Sequence, residues 1–103
     1  MFKLIFFVPV EEVEKVKTAI FAAGAGKQGD YDCCAWQTLG TGQFRPLEGS
    51  KPFIGELEKL ELVEEYRVET LVEETRIYDV VRALKQAHPY EEPAYEVLRL
   101  ENF

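Results

Sequence analysis

The sequence has few of the residues from which catalytic and metal sites are usually built. Its 103 residues include one histidine and two cysteines. With His88 as the only histidine, no Ser/His/Asp or Cys/His catalytic arrangement can be specified, and His88 is the only candidate general base. Cys33 and Cys34 are adjacent, and adjacent residues of a strand point to opposite faces, so we expect free thiols rather than a disulfide.

Long apolar runs and basic clusters are also missing. No run approaches the ~20 apolar residues of a membrane-spanning helix, and the first residues lack the features of a signal peptide, so we expect a cytoplasmic protein. The chain has 19 acidic and 12 basic side chains and a formal net charge of -7, which repels polyanions. Neither nucleic acid nor a membrane is therefore an expected partner.

Apolar periodicity predicts the order strand, helix, strand, strand, helix, strand. Strands are predicted over Phe2–Val8, Asp32–Leu39, Leu62–Val72 and Ala94–Leu100. One helix is expected from Val10 to a stop at Gly24, and the other from a cap at Thr75 to a stop at Pro89. At this length we expect one domain, 1–103. The order divides into two halves, first strand-helix-strand and then strand-helix-strand again. Two such halves predict an α+β fold, a ferredoxin-like βαββαβ sandwich with both helices on one face of an antiparallel sheet.

The open face of that sheet predicts self-association. The first strand is apolar on both faces, and two helices cover only one of them. Ile5, Phe7 and Trp36 therefore need another cover. Burying even ~600 Å² of apolar surface per subunit contributes ~15 kcal/mol before entropic costs, at ~25 cal/mol/Å². We expect a homo-oligomer.

A long central loop, predicted over 40–61, is the first candidate site. Its glycines and prolines break regular structure, yet Phe44 and Phe53 are too apolar for a loop left in water. Arg45 can present a guanidinium to an anionic ligand or a carboxylate. The alternative, which we weigh as the more frequent outcome, is structural docking, with Arg45 paired to Glu48 or to an acid of another subunit. The candidate ligand-binding residues are Gly40, Gly42, Phe44, Arg45, Pro46, Glu48 and Gly49.

The stretch from His88 to Pro93 is the second candidate site, because it sets the only histidine beside Glu91 and Glu92. Imidazole and carboxylate suit a divalent ion. One loop supplies too few ligands for a closed site, unless a thiol of Cys33 or Cys34 completes it across a subunit boundary. The alternative is a helix-terminal histidine held by hydrogen bonds. We expect no firm cofactor and at most a weakly bound divalent metal at His88 and Glu91.

Residues 40–46 (GTGQFRP), 49–55 (GSKPFIG) and 88–95 (HPYEEPAY) together resemble the domain inserted in many bacterial Nif-three-like (YqfO-type) proteins. The His-Pro-Tyr-Glu turn also resembles that of the CutA divalent-ion-tolerance family, and both groups are similar in fold to the PII signalling proteins. The resemblance implies a homotrimer assembled through the sheets, and CutA implies metal contact only at His88 and Glu91. The dinuclear metal ligands of Nif-three-like proteins lie in flanking lobes outside these residues, so their hydrolase chemistry is not carried over.

These features favour a stand-alone, non-catalytic, oligomeric CutA/PII-like module with a small ligand or metal at its subunit boundaries. One rival hypothesis is an enzyme working in a cleft between subunits, with His88 as base and Arg45 as anion holder. The other is an interaction domain that docks on a larger protein partner. Polar groups converging on His88 and Arg45 would favour the enzyme, whereas an apolar cleft would favour the interaction domain.

Overall fold

The computed structural model describes residues 1–103 and has the four strands and two helices that the periodicity predicts. The elements are β1 (Phe2–Pro9), α1 (Val13–Ala22), β2 (Trp36–Phe44), β3 (Glu61–Val72), α2 (Ile77–Ala87) and β4 (Tyr95–Arg99). A short 3-10 turn precedes each helix, at Val10–Glu12 and Glu74–Arg76. The strands lie in the order β2-β3-β1-β4 and every neighbouring pair is antiparallel. The predicted ferredoxin-like fold is confirmed.

The hydrophobic core lies between the two helices and one face of the sheet. Alternate residues of β1, namely Leu4, Phe6 and Val8, point toward the helices and are completely buried. They pack with apolar residues of β3 and both helices, among them Val68, Val72, Val16, Ile20, Val80 and Leu84. Each such side chain contributes about 1.5–3 kcal/mol when removed from water. This packing fixes which face of the sheet the helices cover.

We call the face of the sheet that lies opposite the helices the open face. Register pairs Ile5 with Glu69 on one side and Glu96 on the other, and pairs Trp36 with Glu69. Directly paired residues of an antiparallel sheet point to the same side. Neither helix covers this side, as the sequence predicts.

Strand β2 is displaced from its predicted position. It was expected over Asp32–Leu39 but runs from Trp36 to Phe44, so the prediction was wrong at both ends. Residues 32–35 are irregular, with Cys33 in the left-handed region at φ 55. Both cysteines are free thiols, as expected. Because Gly40 to Phe44 pair with β3, the central loop is shorter than predicted and spans 45–60.

The helix ends confirm one predicted signal and correct another. Gly24, the predicted stop of the first helix, follows α1 with a φ of +118, which an L side chain rarely adopts. Thr75 is not the cap of α2, because the residue at that position is Arg76 and no side chain makes a capping hydrogen bond. Thr75 lies instead within the preceding 3-10 turn.

Strands β2 and β3 extend beyond the rest of the sheet. The pairing of β3 with β1 ends at Glu65, opposite Pro9, while its pairing with β2 continues to Glu61. We call the extension, residues 41–44 and 61–64, the hairpin arm. Loop 45–60 joins its two strands. No helix of the chain is long and apolar enough to cross a membrane.

Candidate functional site

The two stretches singled out in the sequence meet beside the hairpin arm. The backbone N–H of Lys51, in the central loop, donates to Glu91 Oε2 at 3.0 Å. The Tyr90 ring centroid lies 5.8 Å from that of Phe44 and 6.5 Å from that of Phe53, with tilted planes. Such separations are typical of favourable aromatic pairs. The central loop therefore docks on the His-Pro-Tyr-Glu turn of its own chain.

Between loop and turn lies a cleft of about 270 Å³, which we call the aromatic cleft. Phe44, Phe53 and Tyr90 provide its three aromatic rings, and Glu65, Glu91 and Glu92 provide three carboxylates. These six side chains come from strands β2 and β3, the central loop and the turn.

Tyr90 is the centre of this arrangement. Its hydroxyl donates to Glu65 Oε2 at 2.8 Å, and its ring also packs on that of His88 at 5.0 Å. Burial, together with the hydrogen bond and the negative charge of Glu65, raises the pKa of Tyr90 above its ordinary value. The hydroxyl therefore stays protonated at neutral pH and holds Glu65 in the cleft.

A glycine in β2 makes room for Glu65. A Cβ atom added at Gly42 would collide with the Glu65 carboxylate, whereas one at Gly40 would meet nothing within 4 Å. Glycine inside a strand often marks such a close approach. Gly42 therefore lets the Glu65 side chain lie across β2 and reach Tyr90.

His88 ends α2 and is only 5% exposed. Its Nε2 lies 2.7 Å from the carbonyl oxygen of Phe7, and its Nδ1 accepts from the backbone N–H of Tyr90 at 3.1 Å. Because one partner is an acceptor and the other a donor, the ring is assigned the neutral tautomer with the proton on Nε2. Burial lowers the pKa of His88, against smaller raising effects of the Phe7 hydrogen bond and of Glu65 and Glu12. His88 therefore has the geometry of a helix-terminal histidine held by hydrogen bonds, which the sequence analysis gave as the alternative to a metal ligand.

The structure does not join His88 and Glu91 into a metal site. Both ring nitrogens of His88 are engaged, while Glu91 accepts from Lys51. No group of three or more His, Cys, Asp or Glu side chains is placed to hold a metal ion. Cys33 and Cys34 precede β2 at the end away from the cleft. Metal contact at His88 and Glu91 stays a prediction, and binding there requires one of the His88 hydrogen bonds to break.

The predicted ligand-binding residues do not converge on one point. Phe44 lines the aromatic cleft, and Gly42 accommodates Glu65. Arg45 is exposed and makes no hydrogen bond or ion pair within the chain, so the expected intrachain pair with Glu48 does not form. The other residues of the set lie away from the cleft lining, with Gly40 in β2, Pro46 buried, and Glu48 and Gly49 exposed in the loop.

Sequence reasoning missed Glu65, did not assign Tyr90 a role in binding, and considered Glu92 only as a carboxylate beside His88 in a metal site. The alternation along β3 places Glu65 on the open face but gives no indication of the turn that covers it. Tyr90 and Glu92 belong to the motif recognised in the sequence, where attention fell on His88. The sequence feature that could have identified Tyr90 and Glu92 is their position in a turn that is bounded by two prolines and follows the end of a helix.

Comparisons with known proteins locate this chain within longer relatives. No family model matches. A protein of Halalkalibacterium halodurans is 46% identical over 102 residues, which are 99% of this chain and 27% of the relative. One from Bacillus subtilis is 46% identical over 99 residues, covering 96% of this chain and 26% of the relative. Both are named GTP cyclohydrolase 1 type 2 homolog, and the chain spans about a quarter of their length.

Solved structures agree with these relatives. A Bacillus cereus protein related to NIF3 superposes with a TM-score of 0.83 at 42% identity, over 98% of this chain and 26% of the other. The periplasmic divalent cation tolerance protein CutA from Archaeoglobus fulgidus gives 0.70 at 18% identity, over 100% and 87% of the two chains. GlnK of B. subtilis gives 0.59 at 18%, over 96% and 83%. The chain is thus a homologue of one segment of the NIF3-related proteins named GTP cyclohydrolase 1 type 2 homolog, with the fold shared by CutA and GlnK.

Proposed function

We propose that this chain is a non-catalytic module that associates with copies of itself through the open face of its sheet, forming a homotrimer. Its role is to assemble the NIF3-related proteins in which such a segment occurs. The observation behind this proposal is the apolar character of the open face.

The open face has large apolar side chains that no part of the chain covers. Trp36 is 60% exposed and Leu98 is 46% exposed, while Phe7 and Leu71 are half-buried beside them. Ile5 does not need the outside cover that was expected for it, because it is already only 3% exposed within the single chain. Large apolar side chains exposed on a sheet face that no helix covers favour an interaction site there. A second copy presents the same surface, so self-association covers both at once.

Three copies rather than two follow from the resemblance to CutA and PII proteins seen in the sequence. The length of β3 and its hairpin arm is compatible with this arrangement, because the arm reaches past the chain's own sheet. Leu39 and Leu62 lie on the helix-facing side of this region, and both are more than half exposed. Because this side is opposite the open face, a neighbouring subunit would bury them only through an additional contact with this side of the extended hairpin.

The rival enzyme hypothesis is disfavoured by the geometry of His88. A general base needs a free lone pair, but Nδ1 of His88 already accepts from Tyr90 and Nε2 points at the Phe7 carbonyl. Arg45, the proposed anion holder, does not line the aromatic cleft. The cyclohydrolase in the relatives' name belongs to proteins of which this chain spans about a quarter, and we propose assembly rather than that chemistry for it.

Docking on a larger protein remains the second candidate function. The exposed leucines of β2, the arm and the central loop favour it, namely Leu39, Leu47, Leu57, Leu60 and Leu62. Docking and self-association predict different masses for the purified protein in solution. A chain that is monomeric alone and acquires a partner only from the full-length relatives would support docking.

Light scattering after gel filtration, at micromolar concentration, tests self-association. We expect the parent to have three times the chain mass and Trp36→Glu to have the mass of one chain, because the substitution replaces an exposed apolar side chain of the open face with a charge that the interface would bury. Tyr78→Glu is the matched control, since Tyr78 is 84% exposed on α2, in the other layer of the fold. It should keep the parent's mass. A monomeric parent refutes self-association, and a dimer refutes only the trimer.

A further inference from the structure

The aromatic cleft has a composition that selects for one kind of ligand. Phe44 and Phe53 both pack near Tyr90, with their rings tilted by 59° and 52° from its plane. Tilted rings around a small volume give a ligand several aromatic walls at once. Such walls attract cations, because the face of an aromatic ring is electrostatically negative.

The charges around the cleft have the same preference. Its lining includes Glu65, Glu91 and Glu92 but no lysine, arginine or histidine. Glu65 accepts one hydrogen bond from Tyr90, and Glu91 accepts one from the Lys51 backbone, which is uncharged. Glu92 makes no hydrogen bond or ion pair. The three carboxylates therefore have no cationic partner in the chain, and the molecule as a whole has a formal net charge of -7.

We propose that the aromatic cleft binds an organic cation, a guanidinium or primary ammonium group on a short alkyl stem. The stem packs against the aromatic rings, and the charged head pairs with Glu92 and with the free oxygens of Glu65 and Glu91. The volume of about 270 Å³ lies just below the ~300–1,000 Å³ typical of clefts for drug-sized ligands. It suits a ligand about the size of one amino-acid side chain.

This inference goes beyond self-association and does not rest on it, since every cleft residue comes from one chain. The proposed ligand is a cation, whereas the ligand considered for Arg45 in the sequence was an anion. That side chain was expected to hold an anion, but it lies outside the cleft, whose own groups are acidic. The cation has two possible sources, a free small amine or an arginine or lysine side chain of a protein segment, and the experiment separates them.

The test is an NMR titration of the ¹⁵N-labelled chain with n-butylguanidinium. N-butylurea is the matched ligand control, because it has nearly the same shape and no charge. We expect saturable shifts at the amides of Phe44, Phe53 and Tyr90 with the guanidinium, and none that saturate with the urea. An acetylated and amidated Gly-Arg-Gly peptide is titrated in parallel. Affinity about tenfold above that of butylguanidinium identifies a protein segment as the source, and equal or lower affinity identifies a free small cation.

Glu92→Gln tests the charge without disturbing the fold, because Glu92 is exposed and makes no internal bond. Exposed ion pairs contribute little each, so we expect the affinity for butylguanidinium to fall about two- to fivefold. Glu48→Gln removes the same charge from an exposed site outside the cleft and should leave the affinity unchanged.

Three results would overturn the proposal. The first is an absence of saturable shifts with either butylguanidinium or the peptide. The second is equal binding of butylguanidinium and N-butylurea, which would make the cleft an apolar pocket without preference for charge. The third is binding outside the cleft, seen either as a saturable response centred away from Phe44, Phe53 and Tyr90 or as an equal loss of affinity in Glu92→Gln and Glu48→Gln.

Discussion

His88 is buried, and the hydrogen bonds of its neutral ring connect three segments of the chain. The ring belongs to the end of α2, its Nε2–H donates to Phe7 in β1, and its Nδ1 accepts from Tyr90 in the turn. A protonated ring has no acceptor at Nδ1, so the backbone N–H of Tyr90 would face a second donor. Both the tautomer and the charge of this residue are therefore tied to the docking of the turn that forms the aromatic cleft.

This arrangement predicts a loss of stability in mild acid. The folded-state pKa of His88 lies below the ordinary value of 6.5, so the unfolded chain binds the proton first as pH falls. The contribution of His88 is therefore complete above about pH 6.5 and is lost progressively below it, until the folded pKa is reached. Denaturant unfolding at a series of pH values measures this, and the single histidine makes its ring signals in NMR unambiguous.

His88→Gln is the reference for that experiment. We expect it to lower the free energy of unfolding at neutral pH by about 1–3 kcal/mol, because buried hydrogen bonds are lost or distorted. Carboxylates titrate in both proteins, so the difference between the two pH profiles isolates the histidine. Parallel profiles, or a folded pKa at or above 6.5 by NMR, would contradict the prediction.

At the scale of elements, the sequence is most informative where periodicity is regular. Both helices and strands β1, β3 and β4 lie close to their predicted bounds, because apolar alternation and helical spacing are set by which face is buried. The predicted end of strand β2 came too early in the chain because Gly40 and Gly42 were interpreted as loop residues. Only the register with β3 shows that Gly42 is needed in the strand, where it makes room for Glu65.

The candidate site was predicted in its parts but not as a whole. The central loop and the His-Pro-Tyr-Glu turn were both recognised as unusual. Their contact depends on the path of loop 45–60 across the arm, which no local pattern encodes. The aromatic cleft depends on that path, because Phe53 and the Lys51–Glu91 hydrogen bond come from the loop. Sequence reasoning favoured structural docking of the loop but did not identify the His-Pro-Tyr-Glu turn as the surface that it contacts.

A matched pair of substitutions tests the role assigned to the glycines of β2. Gly40→Ala should raise the free energy of unfolding by about 0.4–1 kcal/mol, because alanine restricts the unfolded chain and its Cβ enters open space. Gly42→Ala should lower it by about 1 kcal/mol or more. Its Cβ displaces the Glu65 side chain and breaks the hydrogen bond from Tyr90. Denaturant unfolding of both variants measures the difference.

The Glu65 carboxylate provides a control for this pair. In a Glu65→Gln background the hydrogen bond to Tyr90 is weaker, so Gly42→Ala should cost less than in the parent. Equal effects of alanine at the two glycines would show that Glu65 moves aside freely. In that case it is not held in the cleft by Tyr90.

At the scale of the whole molecule, most of the net charge lies away from the centre of the open face. The centre of the open face is nearly neutral, since Lys3 and Arg67 lie beside Glu69 and Glu96. Glu69 pairs with Lys3 at 3.4 Å and with Arg67 at 3.6 Å. The formal net charge of -7 therefore resides mostly elsewhere on the surface. The proposed assembly of three copies through this face would bury little net charge but would bring three acidic surfaces close together.

The last prediction follows from that separation. Repulsion between acidic subunits opposes assembly and is screened by salt, whereas burial of Trp36 and its neighbours is not. The dissociation constant should therefore fall as ionic strength rises from about 0.01 M to about 0.15 M, where the screening length shortens from about 30 Å to about 8 Å. Sedimentation equilibrium at several dilutions measures it. Glu11→Lys, at an exposed site on the 3-10 turn before α1, reduces the net charge and should flatten the salt dependence. Weaker assembly at higher salt would mean that ion pairs between subunits hold the copies together, and the apolar open face would no longer account for their association.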